Sequence, residues 1–168
     1  KPQAGVQAPG DTLTHLFWNG VASRGQQVMM REKKFGIWQA WTWQQAGQAV
    51  RHMAMGLASH GFGVGDCASI LANTRLEWVL ADLAVLSAGG VSNGIYPTDS
   101  VNQVQYLCED SSTRIVFVED EEQLDKALSS RGQLPLLQLI VVMDTEGLTR
   151  FSDPMVIRLD QLKIGRAH

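Results

Sequence analysis

A chain of 168 residues, 45% hydrophobic and 18% charged, has the make-up of an ordinary soluble domain with material for a proper core. Its net charge of −3 and scattered Lys and Arg leave no basic face, the densest basic spot being Arg31, Lys33 and Lys34. Nucleic-acid binding is therefore excluded as a leading function.

Residues 1–10, rich in Pro, Gln and Gly, read as a loose lead-in. From Asp11, Leu13, Leu16, Phe17 and Val21 recur at helical spacing, and Gly25 ends that segment. Two strand-like runs follow, 27–33 and 37–42, joined through Lys34-Phe35-Gly36 as a hairpin. Thr42 and Gln45 fit a capping box that opens a long helix, whose stripe Trp43, Ala46, Val50, Met53, Ala54 and Leu57 runs to a stop at Gly61.

Gly61-Phe-Gly-Val-Gly65-Asp66 carries three alternating glycines, but a phosphate-cradling loop must follow a strand and open a helix. Here a helix precedes and a strand follows, so the segment is read as a structural turn. Strands over 67–72, 91–95, 114–118 and 139–142 then alternate with helices over 75–88, 101–108 and 121–129. Ser100 and Gln103 supply a second helix cap. This rhythm predicts an α/β fold: a doubly wound, mostly parallel sheet flanked by helices, Rossmann- or flavodoxin-like, after an initial helix and β-hairpin. The helix over 75–88, apolar nearly all round, is expected between the sheet and another layer.

Cys67 and Cys108 belong to no CxxC pattern, and His15, His52, His60 and His168 have no partner at metal-ligand spacing. Two buried, reduced thiols are expected rather than a disulfide or zinc site. No charged start precedes an apolar run, and the most apolar stretch, 78–91, is too short to span a bilayer and carries Asp82. A cytoplasmic protein without a transmembrane segment is expected.

Three sets of strings occur in order. The first is Gly36-Ile-Trp-Gln-Ala-Trp-Thr-Trp43 with Gly56-Leu-Ala-Ser-His-Gly61. The second is Gly65-Asp66, Ser69-Ile-Leu-Ala-Asn73, Glu77-Trp78, Asp82-Leu-Ala84 and Gly89-Gly-Val91. The third is Gly94-Ile-Tyr-Pro-Thr98, Gln105-Tyr-Leu-Cys-Glu-Asp-Ser111 and Val116-Phe-Val-Glu-Asp-Glu-Glu-Gln123. Together they resemble the opening region of AMP-forming acyl-CoA synthetases of the long-chain fatty-acid type. Gln44 and Gln45 depart from that pattern, where an acidic residue is usual, and so does Asn93-Gly94 before the Ile-Tyr-Pro-Thr string.

The resemblance implies a parent enzyme that joins a fatty acid to coenzyme A through an acyl-adenylate, using ATP and Mg²⁺. It also implies an arrangement of lead-in over 1–10, N-terminal ligase subdomain over 11–162, and truncated linker over 163–168. The family handles ATP with a Ser/Thr/Gly-rich loop ending Pro-Lys-Gly, an aromatic-Gly-x-Thr-Glu motif, a ribose-binding Asp and a lysine on a mobile C-terminal domain. None of these strings occurs here: Lys1, Lys33, Lys34, Lys126 and Lys163 follow no such loop, and Asp144-Thr-Glu-Gly147 has a different order. No catalytic, cofactor-binding or metal-ligating residue is therefore assigned, and no cofactor is expected on this stretch alone. The rival reading is a stand-alone α/β binding or dimerisation module without catalysis.

Other features have plain explanations beside functional ones. Tyr96, Pro97 and Thr98 leave a strand on the side where open α/β sheets bind ligands, but a Pro-set turn before a capped helix accounts for them. Asn73 ends a strand; Glu77 opens a helix, where the dipole favours a carboxylate, with no second carboxylate expected nearby for acid–base work. Glu119-Asp-Glu-Glu122 is read as a solvated helix start. Trp41 and Trp43 are expected on one strand face with Trp38 on the other. Core packing is preferred for these aromatics, and a homodimer contact is the alternative.

Overall fold

The structure, a computed structural model, describes residues 12–164. The expected lead-in over 1–10 lies outside them, as does all but the first two residues of the expected linker over 163–168. The chain divides into two compact units, Lys1–Gln48 and Ala49–His168.

In the first unit, helix α1 (Leu13–Arg24) starts at Thr12, whose hydroxyl accepts the His15 amide at 3.2 Å. Strands β1 (Val28–Lys34) and β2 (Ile37–Thr42) form an antiparallel hairpin, with Lys33 opposite Trp38 and Lys34 opposite Ile37. The two turn residues, Phe35 (φ 51°) and Gly36 (φ 77°), both lie in the left-handed region. That is the type I′ geometry matching the right-handed twist of paired strands. Asn-Gly is the usual pair there, and a bulky side chain at the first position costs about 1 kcal/mol.

Helix α2 (Trp43–Ser59) follows directly on β2. Thr42 and Gln45 form the expected reciprocal cap: the Thr42 amide donates to Gln45 Oε1 at 2.9 Å, and the Gln45 amide donates to Thr42 Oγ1 at 3.2 Å. Because that cap turns the chain, Trp43 is the first helical residue and does not share a strand face with Trp41, contrary to expectation. Its ring covers Gly20 of α1, where any side chain would collide with it, and lies 6.2 Å from the buried Phe17 ring. Gly47 faces Val21 as closely; a Cβ there would be 2.8 Å from a Val21 methyl. Two small residues thus let α1 meet the first turns of α2. Trp38, expected to pack, is instead 66% exposed, since neither face of its end of the hairpin is covered.

In the second unit, Val50, Met53 and Leu57 of α2 are fully buried, and Gly61 (φ 82°) ends the helical run. The glycine-rich segment is a turn between helix and strand, held by Asp66, whose Oδ2 accepts the Gly63 amide at 2.9 Å. There follow β3 (Cys67–Leu71), α3 (Leu76–Ser87), β4 (Val91–Ile95), α4 (Val101–Asp110), β5 (Thr113–Val118), α5 (Glu121–Ser130), β6 (Leu139–Val142), β7 (Val156–Arg158) and α6 (Leu159–Ile164). The last strand and helix were not expected.

The five strands pair in the order β4-β3-β5-β6-β7, all parallel. β3, β5 and β6 are buried nearly throughout, which is why they read as continuous apolar runs. The path steps from β3 outward to β4, then back across β3 to β5 and on to β6. Right-handed crossovers therefore send α3 to one face and α4 with α5 to the other. On the latter face Leu71, Ile95, Val116, Val118, Ile140 and Val142 meet Val104, Leu124 and Ala127. No residue of α3 is exposed, as its all-round apolar sequence required. Cys67 and Cys108 are free thiols buried in this unit, and burial pushes the Cys108 thiol above its ordinary value.

Candidate functional site

Where the strand path reverses, two neighbouring parallel strands send their following helices to opposite faces, and the carboxyl ends leave a crevice. Here that point lies between β3 and β5. The chain leaving β3 supplies Asn73 and Arg75 ahead of α3; the chain leaving β5 supplies Glu119 ahead of α5.

Glu119 is fixed by its backbone, its amide donating to Leu71 O at 3.1 Å and its carbonyl accepting the Asp144 amide at 2.8 Å. The side chain consequently crosses the crevice. Oε2 accepts the Asn73 amide at 2.8 Å and Asn73 Nδ2 at 3.0 Å, while Oε1 accepts Arg75 Nη1 at 3.4 Å. Arg75 also grips Glu77 with both prongs, Nε to Oε2 at 2.8 Å and Nη2 to Oε1 at 3.3 Å. These bonds hold the guanidinium above its usual range, the hydrogen bond to Glu77 most of all and burial opposing. The Glu77 and Glu119 carboxylates are only 17% and 15% exposed, so the pairs are worth more than solvent-facing ones.

Two expectations are corrected here. Glu119 does not belong to a solvated helix start: Asp120 takes the cap, accepting the Gln123 amide at 3.1 Å, while Glu119 is drawn into the crevice. Glu77 also has a second carboxylate near it, with Arg75 between the two. Arg75 was not singled out by sequence, and Glu119 was read only as part of an acidic helix start, because only the strand order brings the two together.

A triphosphate needs unpaired backbone amides and cations. In this crevice the carboxylate of Glu119 already takes the Asn73 amide, and one guanidinium faces two carboxylates. The residues present do not fit a nucleotide's phosphates. Among the described residues no group of three or more His, Cys, Asp or Glu side chains comes together to ligate a metal. At the end of β4, Tyr96 is exposed and Pro97 sits in a turn closed by the Asp99 amide on Tyr96 O at 3.0 Å. Ser100 then caps α4, and Lys126 Nζ donates to Pro97 O at 2.6 Å. An open depression of about 270 Å³ lies elsewhere, past the ends of β6 and β7, lined by Leu148, Phe151, Asp153, Arg158 and Gln161. It falls just below the usual size of a ligand pocket.

Residues 17–156 match the family profile described as AMP-binding enzyme. The chain belongs to the AMP-binding enzyme family. Relatives include the long-chain-fatty-acid–CoA ligase FadD15 of Mycobacterium bovis, 32% identical over 67% of this chain and 19% of that protein. The long-chain-fatty-acid–CoA ligase ACSBG2 of Xenopus laevis is 31% identical over 79% of this chain and 18% of that protein. This family member thus spans about a fifth of the length of the curated relatives it matches. Among solved structures, acetoacetyl-CoA synthetase from Streptomyces lividans superposes with a TM-score of 0.78 over 92% of this chain and 25% of that one, at 17% identity. Anthranilate CoA ligase AuaEII, solved with anthranoyl-AMP, gives 0.71 over 77% of this chain and 24% of that one, at 22% identity. At those identities the likeness shows the fold alone, a parallel sheet with flanking helices.

Proposed function

We propose that this chain is the N-terminal part of a long-chain-fatty-acid–CoA ligase. The parent enzyme converts ATP, fatty acid and coenzyme A to acyl-CoA, AMP and pyrophosphate by way of an acyl-adenylate, with Mg²⁺ accompanying the nucleotide. The observation carrying this reading is the 31–32% identity to curated ligases of that name, extending over two thirds or more of the chain. We further propose that residues 11–162 act as a subdomain of that enzyme, preceded by a lead-in over 1–10 and followed by a linker over 163–168. Its place is the cytoplasm; among the described residues no helix is long and apolar enough to cross a membrane.

Within this reading the chain is scaffold rather than chemistry. The carboxylates of Glu77 and Glu119 present the wrong charge to a triphosphate, and the sequence holds no Pro-Lys-Gly loop. Arg75 and Glu119 instead lock the carboxyl ends of β3 and β5 together. Pyrophosphate exchange into ATP, measured with fatty acid and Mg²⁺, tests the proposal. The expected result is no exchange by the 168-residue chain and exchange by the parent. Exchange by the chain alone overturns the missing-site reading, and an inactive parent overturns the ligase.

A further inference from the structure

Resting on the ligase reading of the parent, we propose that Lys126 is a positioning residue of that enzyme. Its ammonium holds the turn Tyr96-Pro97-Thr98 as one wall of the ligand crevice, and an uncharged stretch of substrate lies against that wall.

The turn does not need Lys126 in order to form. It is closed by its own Asp99 amide on Tyr96 O at 3.0 Å, and Ser100 caps α4 by accepting the Gln103 amide at 3.3 Å. Those bonds are local: they shape the turn without fixing it against α5. Lys126 belongs to α5, 29 residues on, and donates from Nζ to Pro97 O at 2.6 Å. α5 continues from β5, which flanks β3 on one side while β4 flanks it on the other. The bond therefore ties the exits of β4 and β5, as Glu119 ties those of β3 and β5. Those exits lie at the carboxyl end of the sheet, where open parallel sheets take their ligands. In the neighbouring crevice the Glu77 and Glu119 carboxylates repel phosphates, so the part of a substrate that reaches the turn is uncharged.

The charge is costly where it sits. The Lys126 side chain is 15% exposed, and the carboxylate paired with it, Glu122 Oε1, stands off at 3.8 Å on a side chain 74% exposed. That separation is beyond hydrogen-bond reach, so the closest partner of the ammonium is a neutral carbonyl, which returns only part of the lost hydration. Nor does the ammonium serve its own helix. Gln123 lies one turn earlier on the same side of α5, and its buried Oε1 receives no hydrogen bond from the described residues. With three donors available, Lys126 reaches out to Pro97 and leaves that oxygen unmet. Stability alone would favour an apolar side chain here, or one bonded to Gln123. Holding the turn requires the reach that Lys126 has.

Steady-state kinetics of the parent enzyme, with ATP, fatty acid and coenzyme A varied in turn, test this. Lys126→Met keeps the length and apolar stem of the side chain and removes its donors. It should raise KM for fatty acid or for coenzyme A about tenfold or more, since a wall displaced by about 1 Å is enough for such a loss. The two arms tell which substrate supplies the uncharged stretch. KM for ATP and kcat should stay within about threefold, the pattern of lost substrate binding rather than lost chemistry. Lys126→Arg, which can still donate to Pro97 O, should bring the raised KM back to within about threefold of wild type. A purely structural lysine would lose active enzyme alike for every substrate. Equal changes for all three substrates, a fall in kcat alone, or unchanged kinetics in Lys126→Met therefore overturn the proposal. Should Lys126→Met not fold, Lys126→Gln is read by the same criteria. An inactive wild-type parent overturns the ligase reading and this proposal with it, whereas an active parent with unchanged Lys126→Met kinetics overturns this proposal alone.

Discussion

The two sheets of this chain are built by opposite rules. In the five-stranded sheet every residue of β3 and β6 is buried, and the side chains are chosen by what they touch on both faces. In the hairpin every β2 residue from Ile37 to Ala40 is exposed, and the pairing is held by a two-residue turn and a helix cap at its far end. A core dictates sequence in one, local geometry in the other.

Substitutions can break that contrast or sharpen it. Phe117 lies fully buried in β5, and Phe117→Ala should cost about 3–5 kcal/mol in urea unfolding; a loss below that of a typical surface change would mean the sheet is not the core described. Glu119→Gln removes the charge facing Arg75 but keeps an acceptor for the Asn73 amide, so its cost should be about 0.5–1 kcal/mol and should shrink at high salt. At the hairpin the sign reverses. Phe35→Asn relieves the left-handed strain and should raise stability by about 0.5 kcal/mol, seen as a higher urea midpoint. A destabilised Phe35→Asn would show that the ring packs after all.

How much was legible in the sequence follows the same division. The starts and ends of β3 to β6 were read to within about a residue, because buried parallel strands are uninterrupted apolar runs between caps and glycines. β7 escaped because Val156-Ile-Arg158 is three residues long, and the connection from β6 carries no helix to sustain the rhythm. Trp38 was misplaced because aromatic content says that a strand forms without saying whether a layer covers it. Arg75 and Glu119 were missed for a topological reason. Glu119 begins an acidic run that looks like any dipole-favoured helix start, and its partners lie 44 and 46 residues upstream. No local pattern records that β3 and β5 are neighbours.

That adjacency has a kinetic consequence. β3 is the first strand of its sheet to be made, yet it needs β4 on one side and β5 on the other before both its edges are satisfied. Joining Glu119 to Asn73 closes a loop of 46 residues, an ordering cost of roughly 3 kcal/mol that must be met before the strand contacts repay it. As the polypeptide leaves the ribosome, β3 accordingly waits half-paired, with Arg75 held by its near neighbour Glu77 alone, until the acidic segment emerges and shuts the sheet around it.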